Sequence, residues 1–195
     1  PKLLRISSVL NSLDGTSEFA KALLPWTEGQ LYGSYFDNEE DHFELTSLGG
    51  VETGSILAQE ELAAPFMSYA FYRIASQLRE MGASSDKPIP TLIYIPETWY
   101  FLRQPVFAAE LEEWLVTLRK LGGVVWFDTQ SPDKLVQSPI FAAFRDNIAT
   151  MVFTPNHKAL TKSLGDMYRT EFAKAEHEIQ YIANGVPKRD YFISQ

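Results

Sequence analysis

Residues 91–102 read TLIYIPETWYFL, and the fold turns on what this stretch is. Thr91–Ile95 is a short run of β-branched and aromatic residues with the look of a buried strand. Pro96 and Glu97 follow at once, then Thr98 and Trp99. A strand that ends on an acid aims a carboxylate at a phosphate-bound metal or at a water. An Asp-Glu pair is the usual ending for such a strand, and here it is Pro-Glu.

Working outward, the rhythm is regular. A helix is expected over about Val106–Leu121, closed by Gly122 and Gly123. A second strand follows in VVWFDT (124–129), then a helix within SPDKLVQSPIFAAFRDN (131–147). A third strand is expected in TMVFTP (150–155), helical segments to Asn184–Gly185, and a short last strand in DYFIS (190–194). Strands alternating with helices predict a parallel sheet covered on both faces, and the nearly continuous apolar runs of the strands fit that burial. Upstream, QEELAAPFMSYAFYRIASQLREMG (59–82) carries helical periodicity, with Leu62, Phe66, Tyr69, Ala70, Ile74 and Leu78 on one face and Gly82 as its end. Residues 1–28 read as helical, broken at Asp14–Gly15, with Ser17 placed to cap a second helix. Residues 29–50 read as two β segments around the acidic turn DNEEDHFE (37–44), taken as solvated.

The 195 residues are 45% hydrophobic and 13% aromatic, enough for one sizeable core. A net charge of −8 argues against non-specific nucleic-acid binding through a basic surface, and nothing in the sequence points directly to nucleic acid. The absence of cysteine excludes disulfides and thiolate metal sites. No apolar run approaches the roughly 20 residues that span a bilayer, and no signal peptide is visible. The chain opens on PKLLRISSVLNSL, which reads as the middle of an amphipathic helix, so a longer parent protein is expected.

In open α/β sheets, sites gather at the carboxyl ends of the strands. Glu97 stands after the first strand, Asp128, Thr129 and Gln130 after the second, Pro155 and Asn156 after the third. A carboxylate can orient or deprotonate an attacking water, and a glutamine on the next strand can bond that water or a terminal phosphate. Taken singly, Glu97 is equally a solvated strand end and Gln130 a helix-start residue; their ordered combination carries the reading. The phosphate-cradling loop G-x-x-x-x-G-K-[ST] has no counterpart, since no Gly-Lys pair occurs in the chain. Arg119 and Arg145 close the two helices between strands and are candidates to reach a neighbouring subunit's phosphate, although basic residues also suit a helix C-terminus electrostatically. The three histidines are far apart and form no metal pattern. Trp99, Tyr100, Trp114 and Trp126 are assigned to core packing.

The whole stretch from Thr91 to Asn156 resembles the ATPase domain of the large type IV secretion and conjugation ATPases, the VirB-four, TrbE and CagE family. There, a Walker B strand ending in Asp-Glu-Ala-Trp is followed by a helix ending in LRK, a glycine turn, a strand ending in Thr-Gln-Ser, and a strand ending in Pro-Asn. LYGSYFDN (31–38) and GVPKRDYFIS (185–194) extend the similarity over essentially the whole chain. The resemblance implies an α/β, RecA-like P-loop NTPase core over residues 29–195, lacking the Walker A segment, with 1–28 the remnant of a helical insertion lobe. It also implies ATP and Mg²⁺ as ligands of the full-length protein, with this piece alone inactive. Assembly as a hexamer or dimer is implied, with other inner-membrane channel components as partners, at the cytoplasmic face of the bacterial inner membrane. Glu97 matches the catalytic glutamate and Gln130 the polar sensor; Pro96 stands where the family commonly has the aspartate that helps hold Mg²⁺, and proline cannot do that. Two alternatives stay open: a degenerate docking subunit of the same channel, and a DNA-pumping motor related to the conjugative coupling proteins.

Overall fold

The structure is a computed structural model that describes residues 5–41, 43, 46–83, 89–103 and 105–195. Two compact units divide between residues 63 and 64, inside the first turn of a long helix.

The first unit holds four short helices: α1 (Ile6–Leu10), α2 (Glu18–Leu23, continued by a 3₁₀ turn Leu24–Trp26), α3 (Gly33–Phe36) and α4 (Gly54–Leu57). Ser17 caps α2 as expected, accepting the Ala20 N–H. The expected pair of β segments over 29–50 is not found: α3 lies there, and no strand occurs among the described residues of this unit. The reason is aromatic spacing. Tyr32 and Phe36 are four residues apart, a helical interval, and both rings pack on Trp26 at 4.7 and 5.5 Å. Gly33 fixes the approach, because a Cβ there would meet the Thr27 carbonyl oxygen at 2.0 Å.

In the acidic segment Asn38, Glu39, Glu40 and Asp41 are exposed as expected, residues 42, 44 and 45 lie outside the described ones, and Asp37 is the exception. The Asp37 side chain is 0% exposed. It accepts the Ser7 N–H at 3.0 Å and the Glu28 N–H at 2.7 Å, with the Arg5 guanidinium 3.6 Å away. Asp37 therefore ties residues 5–28 to residues 29–37.

The second unit begins with the rest of α5 (Glu60–Ala83). Phe71, Ala75 and Leu78 form its buried stripe, and Phe71 packs edge-on against Phe107 and Trp114 at 4.8 and 3.9 Å. Strand β1 (Thr91–Ile95) leads to α6 (Thr98–Phe101) and α7 (Pro105–Thr117), which tightens into a 3₁₀ turn over Leu118–Leu121. Gly122, at φ 80°, makes the left-handed helix end that returns the chain into β2 (Gly123–Phe127). β2 pairs parallel with β1, Thr91 opposite Gly123 and Ile95 opposite Phe127. Then come α8 (Pro132–Val136), α9 (Phe141–Asn147), β3 (Met151–Phe153), a 3₁₀ turn (His157–Leu160), α10 (Lys162–Thr170), α11 (Glu176–Asn184) and β4 (Phe192–Ser194).

The fold is thus mixed α/β with a small parallel pair, but not the single parallel sheet expected. β3 pairs antiparallel with β4 in a separate two-stranded ribbon. A local core explains this: Ala159, Tyr168, Ile179, Ile182 and Ala183 are buried together, with Phe153 of β3 and Phe192 of β4 packed against them. Lys174 reinforces the ribbon, donating to Ser194 Oγ at 2.6 Å while lying against the Phe153 and Phe192 rings.

Nor are the strands covered on both faces. Leu92, Tyr94, Val124 and Trp126 are 55–60% exposed, so one apolar face of the parallel pair meets solvent. Apolar continuity sets what a strand can bury, not what covers it. Among the described residues no helix is long and apolar enough to cross a membrane.

Two outcomes are expected. Burial alone would push the Asp37 carboxyl up, but the Ser7 and Glu28 amides and the Arg5 charge outweigh it and hold its pKa below the ordinary carboxylate value. The stability it contributes is full above a pH of about 4 and is lost as pH falls through the lower folded-state pKa. Asp37→Ala should cost the first unit about 3 kcal/mol at neutral pH in urea unfolding followed by the Trp26 indole resonance, and should remove that acid-side loss. Separately, Leu92→Thr with Val124→Thr should change stability by less than about 0.5 kcal/mol while reducing self-association in sedimentation velocity.

Candidate strand-end site

The ends of β1 and β2 converge with the start of α8. Pro96 leaves β1 without an amide N–H, and Glu97 then adopts φ 47°, ψ 46°, the left-handed region unusual for a glutamate. Left-handed backbone costs such a residue about 1–2 kcal/mol. Asp128, one position past the end of β2, counters that cost. Its Oδ1 accepts the Glu97 N–H at 2.8 Å, its backbone carbonyl accepts the Thr98 N–H at 3.0 Å, and its Oδ2 accepts the Tyr94 hydroxyl. A hydrogen bond to a charged acceptor is worth roughly 1.5–3 kcal/mol, enough to hold the turn. Thr98, 1% exposed, completes it by donating its hydroxyl to the Ile95 carbonyl at 2.8 Å.

The carboxylate of Glu97 is held from two sides. Oε2 accepts the Trp99 indole N–H at 2.8 Å and the backbone N–H of Gln130 at 3.4 Å. Lys134 of α8 lies 3.5 Å from the Trp99 ring centroid, a close cation–π contact. The Tyr94 hydroxyl is pushed above its ordinary pKa, first by its bond to Asp128, then by burial and by the charges of Asp128 and Glu97.

The structure therefore brings Glu97 and Gln130 together, through the glutamine's backbone rather than its amide. It does not bring the two arginines to them. Arg119 precedes β2, at the opposite end of a five-residue strand from Glu97, about 16 Å away at the usual rise. Arg145 lies in the last turn of α9, exposed, with Asp146 at 3.4 Å. Asn156, after β3, is drawn into the C-terminal core instead: its N–H donates to Ile182 and its side chain accepts the Lys158 N–H. Trp114 is buried as expected, 4% exposed, but two other tryptophans depart from the core assignment. Trp126 is 58% exposed, and half-buried Trp99 serves Glu97 through its N–H.

Strand-end reading placed Asp128 but gave it no role, assigned Trp99 to the core, and passed over Tyr94 and Lys134. The parallel register was the available signal for Tyr94 and Asp128, since it places residue 128 beside residue 96. Among the described residues no group of three acidic, histidine or cysteine side chains is poised for a metal. Asp128 has one carboxylate oxygen on the Glu97 N–H and the other on the Tyr94 hydroxyl, and Pro96 adds no ligand, so Glu97, bonded through Oε2, is the carboxylate that a Mg²⁺ ion could take here while filling its shell from water and phosphate. A polyphosphate finds no glycine-rich cradle within these 195 residues.

A fixed carboxylate at the carboxyl end of a parallel strand defines a class: an α/β unit with an acidic strand end. Comparison with known proteins makes it particular. No family model matches the chain. It is 31% identical over 177 residues to the conjugal transfer protein TrbE of Rhizobium radiobacter, covering 90% of this chain and 20% of that protein. It is 31% identical over 195 residues to the type IV secretion system protein virB4 of Bartonella henselae, covering 97% of this chain and 23% of that protein. The virB4 of Bartonella quintana is 32% identical over 187 residues, 93% of this chain and 22% of that protein. The chain belongs to this VirB4/TrbE family, and it spans between a fifth and a quarter of the length of these relatives.

The left-handed turn has a measurable consequence. Glu97→Gly should leave the unfolding free energy of the chain unchanged or raise it by up to about 1 kcal/mol through relieved backbone strain, although it deletes the carboxylate that Trp99 binds. A thermal melt of the two proteins side by side checks this.

Proposed function

We propose that this chain is the part of a type IV secretion or conjugative-transfer ATPase that carries the water-activating glutamate. The proposed fold of the intact domain is a RecA-like core whose phosphate-binding loop comes from sequence outside these 195 residues. The observation that carries the reading is the position of Glu97: a carboxylate at the end of a parallel strand, turned by a left-handed residue and steadied by Trp99 and the Gln130 amide.

Water is the nucleophile in this reading. Its oxygen bonds to the terminal phosphorus of ATP, the bond from that phosphorus to the ADP oxygen breaks, and Glu97 takes the water's proton. Gln130 is assigned to the terminal phosphate through its side-chain amide. Bound Mg²⁺ would neutralise phosphate charge, and the Glu97 carboxylate is the oxygen donor this strand end would offer it. Arg119, before the start of β2, and Arg145, in the last turn of α9, are assigned to a neighbouring subunit's nucleotide in a hexamer or dimer. The assembly is placed at the cytoplasmic face of the bacterial inner membrane with other channel components, where turnover energises substrate transfer or pilus assembly.

Steady-state ATP hydrolysis by the full-length parent beside its Glu97→Gln variant tests this. A fall of about 10²-fold or more is expected, the scale of a lost general base. A parent that binds nucleotide without turnover would mark Pro96 as disabling and the protein as a docking subunit. A variant as fast as its parent would move the active site elsewhere.

A further inference from the structure

The reading just given makes no use of Asp128, yet this residue touches the strand end at three points. The register explains how. Ile95 faces Phe127 across the parallel pair, so the next residues, Pro96 and Asp128, are neighbours, and the Asp128 N–H continues the ladder to the Ile95 carbonyl at 3.4 Å. Where the β1 strand end has a proline, the adjoining strand end has a carboxylate.

We infer that Asp128 is a positioning residue for Glu97: its carboxylate, reaching across from the neighbouring strand, locks the left-handed turn that aims the Glu97 side chain. Three facts on different atoms support this. Asp128 Oδ1 accepts the N–H of the one residue in the turn with positive φ, at 2.8 Å. The Asp128 carbonyl accepts the next amide, that of Thr98, at 3.0 Å, so backbone and side chain clamp consecutive residues. The other carboxylate oxygen is tethered by the Tyr94 hydroxyl, from a residue of β1 itself, which fixes the carboxylate in the orientation that Glu97 requires. Pro96 makes the device necessary: it has no N–H with which to anchor the turn. A strand end without a donor at residue 96 thus has its glutamate held from the adjacent strand.

The catalytic half of this inference rests on the proposed role of Glu97; the geometric half does not, and the test separates them. Amide hydrogen exchange and the Trp99 indole resonance, followed by NMR on the 195-residue chain, read the turn directly. Asp128→Ala should speed exchange of the Glu97 amide by roughly tenfold or more and shift the Trp99 indole N–H, while Asp128→Asn, which keeps an acceptor oxygen, should restore both. Should Asp128→Ala not fold, Tyr94→Phe at the exposed Tyr94 releases one side of the carboxylate and should speed the same amide severalfold.

In the full-length parent, Asp128→Ala should lower kcat by roughly 10- to 100-fold, the scale of a misaligned catalytic group, with KM for ATP nearly unchanged. Asp128→Asn should stay within about threefold of the parent, since a neutral acceptor is weaker than a charged one but keeps its direction. Unchanged Glu97 exchange in both Asp128→Ala and Tyr94→Phe overturns the inference. So does Asp128→Ala at parental kcat beside a dead Glu97→Gln, which leaves the role of Glu97 intact. Asp128→Asn falling as far as Asp128→Ala overturns it in another way, since charge and not acceptor geometry would then be what Asp128 supplies.

Discussion

Thr91 lies opposite Gly123 and Ile95 opposite Phe127, and every feature of the strand-end site depends on that register. A slip of one residue would turn each side chain of β2 to the opposite face and move Asp128 away from the Glu97 amide. Two glycines set it. Gly122 reverses the chain in a left-handed conformation, and Gly123 passes so close to Leu118 that a Cβ would stand 3.1 Å from the leucine Cβ. The turn between helix and strand therefore has little freedom to lengthen or rotate, and the chemistry at the far end of the strand inherits its alignment from there.

Much of the element order was legible because its signals are local. β1, α7, the glycine turn and β2 each announce themselves by apolar runs, helical spacing and a C-terminal glycine. Ser17 reads as a cap and is one. The failures are of a different kind. The pairing of β3 with β4 depends on Phe153 and Phe192 meeting a core built from residues 159–183, a long-range match with no local signature. The helical turn at Gly33–Phe36 was hidden in a run of aromatics that suits a strand until the partner, Trp26, is known. Asp37 looked solvated because its neighbours are acidic, yet it is held by two donors of Ser7 and the Glu28 amide, with the Arg5 charge beside it.

At the site, Glu97 and Gln130 could be named from their order along the chain, but not how they meet. The glutamine was expected to act through its amide; the contact to Glu97 is made by its backbone N–H. Trp99 looked like core, and its half-buried ring is indeed packed, yet its indole N–H is spent on the glutamate. Aromatic residues with a polar edge serve both purposes at once, which is why residue type alone could not distinguish them.

The division of the strands into two ribbons bears on how the unit can deform. No ladder hydrogen bond joins β2 to β3. The two ribbons are coupled instead through rings: Phe127 meets Phe144 of α9, and Phe141 of the same helix meets Phe172, which meets Phe153 of β3. Apolar contacts of this kind have no fixed donor and acceptor to break, so they resist separation strongly but sliding only weakly. A shear between the ribbons would leave both ladders whole, carrying the Glu97 turn as a rigid piece on one side and Asn156 with the C-terminal core on the other.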